Sequence, residues 1–198
     1  HMLNTTWIYE LPVGKNKHLR SLPGPLNFIV GDWSVNGILM IAAGAPFTVR
    51  SGVRTANYSH ESRAVVVGPK PKVGLYDIPG VIGPVYFKDT SSFTLPAPGS
   101  IGDGRNIFSG PSYWNLDLGV SKVFRIGERR SVQLRGEFFN ALNHPNFDNP
   151  YDASNGSASF RSTVFAQTCC STVSPPSTRA IVDTGESGRI IQMALRLR

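Results

Sequence analysis

Alternating apolar and polar side chains mark five segments of this chain. The clearest run lies within 131–139, where residues of one parity are apolar or glycine and most residues between them are polar. Similar runs surround Trp7 and extend from Trp33 to Ile41, from Trp114 to Ser121 and from Ile191 to Arg198. A period of two residues predicts strands in which successive side chains point to opposite faces.

The third and fourth runs in chain order are close enough to form a hairpin. Only a short segment around Arg125–Arg129 separates them, and such a short connection predicts a tight turn between antiparallel strands. The apolar rows of both strands should therefore share one face of the sheet. The residues expected on this face are Leu116, Leu118, Val120, Val132, Leu134 and Phe138.

Segments without periodicity connect these runs. Pro12–Gly31 is rich in Lys, Gly and Pro and predicts a turn, while residues 50–86 and 144–187 greatly exceed the usual connection of about four to six residues. They are expected to be surface loops or partly disordered segments. Because 20 glycines and 15 prolines favour short strands and turns over long helices, we predict an all-β fold. Its antiparallel strands and long loops would form a sheet or a small or partial β-barrel.

The runs are about nine to eleven residues long, which is the length that a tilted strand needs to cross a bilayer. Trp7, Trp33, Trp114 and Phe124 lie near the expected strand ends, as aromatic residues do at the two membrane interfaces. Amphipathic strands of this kind also build soluble antiparallel sandwiches, so periodicity leaves both alternatives open. No run of eighteen apolar residues predicts a transmembrane helix.

Charge and chain organisation narrow the function classes. The net charge is +7, but the basic residues are scattered, which argues against a nucleic-acid partner. His1-Met2 is interpreted as an expression-vector remnant, and residues 3–198 as a single β-rich unit cut from a longer protein. Cys169 and Cys170 are adjacent, with Cα atoms about 3.8 Å apart, so free thiols are favoured over a strained bridge and their redox state stays open.

Residue patterns for catalysis are missing from the sequence. It contains no GxSxG serine elbow and no HExxH zinc motif, and Gly102–Arg105 fits a turn better than a phosphate or calcium loop. We therefore predict no catalytic residues and no metal site. A calcium ion held by loop carboxylates is the single cofactor left open. The histidines are His1, His18, His60 and His144, and the loop carboxylates are Asp77, Asp89, Asp103, Asp148 and Asp152.

Several strings, in order along nearly the whole chain, resemble the last barrel strands of TonB-dependent receptors of the Oar-like, carboxypeptidase-regulatory-domain group. The most specific is Leu134–Phe147, which reads LRGEFFNALNHPNF. The others are Tyr9–Lys15, Gly31–Ile38, Gly44–Val49, Gly104–Asn106, Gly110–Pro111, Asn115–Leu118, Lys122–Phe124 and Arg189–Leu197.

The resemblance implies a segment of an outer-membrane barrel of about 22 strands with an N-terminal plug, which imports a bulky nutrient by energy from the inner membrane. The expected partners are outer-membrane lipid and an unknown small molecule or oligosaccharide, and the TonB contact would lie outside this chain. The chain departs from the pattern in having no plug, in ending in Leu197-Arg198 instead of an aromatic residue, and in a long loop from Ser162 to Glu186. Two alternatives remain: a secreted metal-dependent hydrolase and a soluble β-sandwich binding module.

Overall fold

The protein is described by a computed structural model. It describes residues 1–14, 17, 24–56, 61–79, 84–127, 130–147, 149–150, 159–162, 165–166, 168 and 188–197. The elements are β1 (Met2–Glu10), α1 (Gly24–Val30), β2 (Trp33–Ala42), β3 (Pro46–Phe47), β4 (Val65–Val66), β5 (Phe93–Thr94), β6 (Phe108–Ser109), β7 (Tyr113–Ile126), β8 (Arg130–Phe139) and β9 (Ile190–Leu197). The predicted all-β class is confirmed.

The chain divides into two compact units. Unit 1 comprises His1–Ile41, Trp114–His144 and Gly188–Arg198, and unit 2 comprises Ala42–Tyr113 and Pro145–Ser187. Unit 1 contains the long strands that the alternating runs predict. Unit 2 is built from the two long connections, which lack such periodicity.

Unit 1 is a five-stranded sheet in the order β1-β2-β7-β8-β9. Among the described residues β1 and β9 form its two edges, so the sheet is open, as expected for part of an outer-membrane barrel. Strand β2 is bonded to β7 although 70 residues lie between Ala42 and Tyr113. All other neighbours in the sheet are also neighbours in sequence.

The predicted hairpin is formed by β7 and β8. The strands are antiparallel, with Leu118 opposite Phe138 and Val120 opposite Gly136. Residues directly opposite each other point to the same face, so the prediction that both apolar rows share a face is confirmed. The connection is shorter than expected, because β7 extends to Ile126 and β8 begins at Arg130. Gly127 has a positive φ of 70°, which glycine adopts without steric cost.

The prediction of a turn over Pro12–Gly31 needs a correction, because this segment contains helix α1. Pro25 is the second residue of the helix and lies in its first turn, where its fixed φ and missing N–H are tolerated. The helix ends at Val30 and is followed by Gly31, whose N–H donates to the carbonyl oxygen of Asn27 over 2.8 Å. A side chain on Gly31 would meet that oxygen at 2.7 Å, so only glycine fits there. The helix is too short for its sequence periodicity to predict it.

Unit 2 has its own core, although the sequence predicts loops over much of it. Strand β3 pairs with β6, and β4 pairs with β5, both antiparallel. Rings pack at the centre with centroids 5.0 to 6.2 Å apart, in the range of favourable aromatic pairs. The rings are those of Phe47, Tyr86, Phe87, Phe93, Phe108, Phe160 and Phe165. The described parts of these connections are therefore folded.

Candidate functional site

The main functional surface of unit 1 is the apolar face of its sheet. In β8 and β9, Leu134 lies opposite Leu195 and Gly136 lies opposite Met193, which extends the apolar row of the hairpin onto the last strand. These side chains are uncovered in the chain itself: Met193 is 77% exposed and Leu195 66% exposed. A continuous apolar surface of this kind is typical of a face that contacts lipid or another protein.

Aromatic side chains border this apolar face, as the sequence predicts. Trp114 lies near the beginning of β7 and Phe124 near its end, ten residues further on. At about 3.3 Å per residue, and with the tilt of about 40° that strands of outer-membrane barrels have, ten residues would span about 25 Å along a membrane normal, the height of the apolar band of such barrels. Trp7 instead packs against Gly37 in the middle of β2, where an added Cβ would be 2.1 Å from the indole ring, so this ring is not at the border.

The opposite side of the sheet, the polar face, carries hydrogen-bonding and charged side chains. Ser34 Oγ of β2 and Ser121 Oγ of β7 are 2.7 Å apart. Arg135 and Glu137, both on this face of β8, form an ion pair. Both side chains are partly exposed, so the pair adds little stability and stays available to water or solute. The described sheet therefore has the apolar and polar faces of a barrel with an aqueous interior.

The string with the most specific resemblance forms a hydrogen-bonded turn after β8. Asp117 Oδ1 accepts from the backbone N–H of Asn140 over 2.8 Å, and Asn140 Oδ1 accepts from the N–H of His144 over 2.9 Å. Asn140 and Asn143 have positive φ angles of 49° and 53°, which asparagine tolerates better than most residues. Asn143 also bonds the backbone N–H of Arg189, just before β9. These asparagines therefore have a structural role that joins three strands.

A buried lysine interrupts the apolar face near the end of β7. Lys122 lies opposite Leu134, is only 2% exposed, and donates to the carbonyl oxygen of Gly31. Its Nζ lies 5.3 Å from the ring centre of Trp33 and 4.8 Å from that of Phe124. The carbonyl and the two ring faces stabilise the ammonium group within a row of otherwise apolar side chains. The lysine within an apolar run is the sequence signal that could have indicated this contact.

Two loop carboxylates of unit 2, Asp103 and Asp89, are used locally. Asp103 Oδ2 accepts from the N–H of Val66 over 2.8 Å, and Asp89 accepts from the N–H and hydroxyl of Ser91. The hydrogen bond from the Ser91 hydroxyl is the main reason that the pKa of Asp89 lies below its usual range. Burial raises the pKa of the Tyr86 phenol. Asp148 and Asp152 lie outside the described residues. The calcium site stays a prediction.

The histidines of the sequence are not brought together in the described part of the chain. His144 lies in the turn after β8, and its ring is 4.0 Å from that of Trp114. His18, His60 and the Cys169-Cys170 pair lie outside the described residues. Within the described ranges, no group of three or more His, Cys, Asp or Glu side chains is placed to hold a metal ion.

The two faces of the sheet, the aromatic border and the span of β7 define a segment of a transmembrane β-barrel. A family model described as "Outer membrane beta barrel domain" matches residues 1–192, and the chain belongs to this family. It is therefore a protein of the bacterial outer membrane. No curated protein and no solved structure gives a significant match. Among the described residues, no helix is long and apolar enough to cross a membrane.

Proposed function

We propose that this chain contributes wall strands and outer loops to a nutrient receptor of the TonB-dependent class and has no catalytic activity of its own. The observation that carries the proposal is the two-sided sheet, apolar on one face and lined on the other by Ser34, Ser121, Arg135 and Glu137. Outer-membrane family membership supports the membrane part of this proposal. The resemblance of Leu134–Phe147 to the Oar-like receptor group supports the assignment to TonB-dependent receptors.

The lengths of the connections support a receptor over a simple structural barrel. In outer-membrane barrels the periplasmic turns are short and the extracellular loops are long. The β7–β8 turn contains only the residues between Ile126 and Arg130, although the β1–β2 connection at the same end is longer and contains α1. The β2–β7 and β8–β9 connections are longer still and build the aromatic core of unit 2. A folded unit made from outer loops provides a preorganised surface for a solute, which we infer to be a small molecule or an oligosaccharide.

Energised uptake is the measurement that tests this function. Bacteria that produce the protein are compared with cells in which its gene is interrupted, using labelled oligosaccharides of graded length and a ferric chelate. Uptake should saturate, should disappear in the interrupted strain, and should stop when a protonophore removes the energy supply. Uptake that survives the protonophore and never saturates would identify a passive pore, and equal uptake by both strains would contradict a transport function.

The secreted metal-dependent hydrolase is the alternative that the residues leave open, and it has a separate test. The purified chain should show no robust turnover of ester, amide or glycoside substrates, because its sequence has no serine elbow, no paired histidines and no zinc-ligand spacing. An activity that is lost with a chelator and in His60→Ala or His144→Ala would overturn this expectation. Saturable binding of a labelled oligosaccharide to a detergent-free, soluble chain would instead favour a soluble binding module.

A further inference from the structure

We propose that helix α1 is an interfacial anchor, whose outward side chains insert into the phospholipid surface beside the barrel. The helix lies in the connection between β1 and β2, and most of its apolar side chains are exposed. They are Leu26, Phe28, Ile29 and Val30. The proposal depends on the outer-membrane family of the chain, and it does not depend on nutrient uptake.

Contacts place α1 over the apolar face of the sheet. The ring of Phe28 lies 5.2 Å from that of Phe124, and Trp33 Nε1 donates to the carbonyl oxygen of Ile29 over 3.0 Å. Trp33 and Phe124 also flank Lys122, which lies on the apolar face opposite Leu134. The exposed side of α1 is therefore continuous with the surface that faces lipid.

The position of α1 along the strands places it at a membrane interface. It precedes Trp33, the first residue of β2, and contacts Phe124 near the end of β7. These aromatic residues belong to the border of the apolar band, where rings lie at the level of the lipid head groups. The tight β7–β8 turn is at the same end of the sheet, which by the usual rule is the periplasmic end. The leaflet of the outer membrane at the periplasmic end is composed of phospholipid.

Lys122 explains why the helix stays in place. A lysine that faces lipid directly is costly. Gly31, the residue that follows α1, supplies its carbonyl oxygen as an acceptor, and the rings of Trp33 and Phe124 cover the ammonium group. A second contact holds the same segment, because Arg125 Nε lies 3.5 Å from Asp32 Oδ2. Lys122 is therefore a positioning residue, and its own side chain is too buried to contact lipid.

Site-specific quenching tests this proposal in vesicles of phosphatidylethanolamine and phosphatidylglycerol. A fluorescent label is attached to Ile29→Cys in a chain whose Cys169 and Cys170 are replaced by serine. We expect strong quenching by lipids with a nitroxide on the head group, and several-fold less quenching by aqueous iodide than for a Gln192→Cys label on the polar face. A Leu195→Cys label on the apolar face should be quenched best by nitroxides on the acyl chain.

A second variant separates the anchor from its support. In Lys122→Met, which removes the bond to Gly31 without adding charge, the Ile29 label should become several-fold more accessible to iodide while the Leu195 label stays unchanged. An Ile29 label that is as accessible as the Gln192 label in the unaltered chain would overturn the proposal. A Leu195 label that escapes lipid quenching would also overturn it, because α1 would then have no lipid-facing surface to continue.

Discussion

Substitution of Met193 by arginine tests whether the apolar face of the sheet is covered by lipid. Met193 lies opposite Gly136, which in turn lies opposite Val120, so this row crosses β7 roughly midway between its two aromatic borders. Burying a whole methionine side chain contributes about 1.5–3 kcal/mol. Since Met193 is 77% exposed in the chain itself, lipid should supply about 1–2 kcal/mol of this.

Arginine at this position loses the lipid contact and brings a charge into the apolar band. The Met193→Arg variant should lose about 2–4 kcal/mol of folding free energy, which is the cost measured for lipid-facing arginine near the midplane of barrels. At about 1.4 kcal/mol per factor of ten, the folding equilibrium in vesicles should fall about 30- to 700-fold. Gln192→Arg is the matched control, because Gln192 lies on the polar face opposite Glu137. The folding free energy of this variant should be unchanged or slightly more favourable, since the new arginine lies opposite a carboxylate.

Guanidinium unfolding of the vesicle-bound chain, followed by tryptophan fluorescence, gives both free energies by linear extrapolation. A second pair of variants checks the same row: Leu195→Ala should destabilise the bound chain more than Arg196→Ala, which changes the opposite face. Equal losses within either pair, or a larger loss for Gln192→Arg, would refute the assignment of the two faces.

Three further outcomes follow from local contacts. Asp117→Ala should lower the free energy of unfolding by about 1–2 kcal/mol, because a backbone N–H after β8 loses its acceptor, and Asp117→Asn should recover most of the loss in thermal melts. Gly44→Ala should destabilise unit 2 by more than about 2 kcal/mol, since its Cβ would lie 1.8 Å from a backbone oxygen, whereas Gly74→Ala makes only ordinary contacts and should change hydrogen exchange little. Ser91→Ala should raise the pKa of Asp89 in an NMR titration, because the carboxylate loses its hydrogen bond from the hydroxyl. The stabilisation that the Ser91 hydrogen bonds give is fully present above the ordinary carboxyl pKa, and it is lost as the pH falls through the lower pKa of Asp89 in the folded chain.

Local alternation predicts the long strands because one face of each strand contacts apolar surroundings and the other contacts water. It therefore gives the β7–β8 hairpin, its shared face and the row on β9 correctly. Alternation carries no information about neighbours that are distant in sequence. The pairing of β2 with β7 could not be predicted, since it depends on which edges meet after a long connection has folded.

The features that the sequence pattern missed depend on tertiary contacts. Unit 2 forms its core from rings on short segments, such as Phe47, Phe87 and Phe108, which are too far apart in sequence to produce a period. Helix α1 is also too short to be recognised without its contact to Phe124. The loop interpretation of 50–86 follows from the same lack of periodicity.

The unequal connections of the sheet also imply an order of assembly. The β7–β8 hairpin closes over the few residues between Ile126 and Arg130, and such hairpins form in about 1–10 μs. Pairing β2 with β7 must close the 70 residues between Ala42 and Tyr113, which costs about 3 kcal/mol more in chain entropy than a turn of three residues. The hairpin should therefore nucleate the sheet, and the β2–β7 seam should close last and open first.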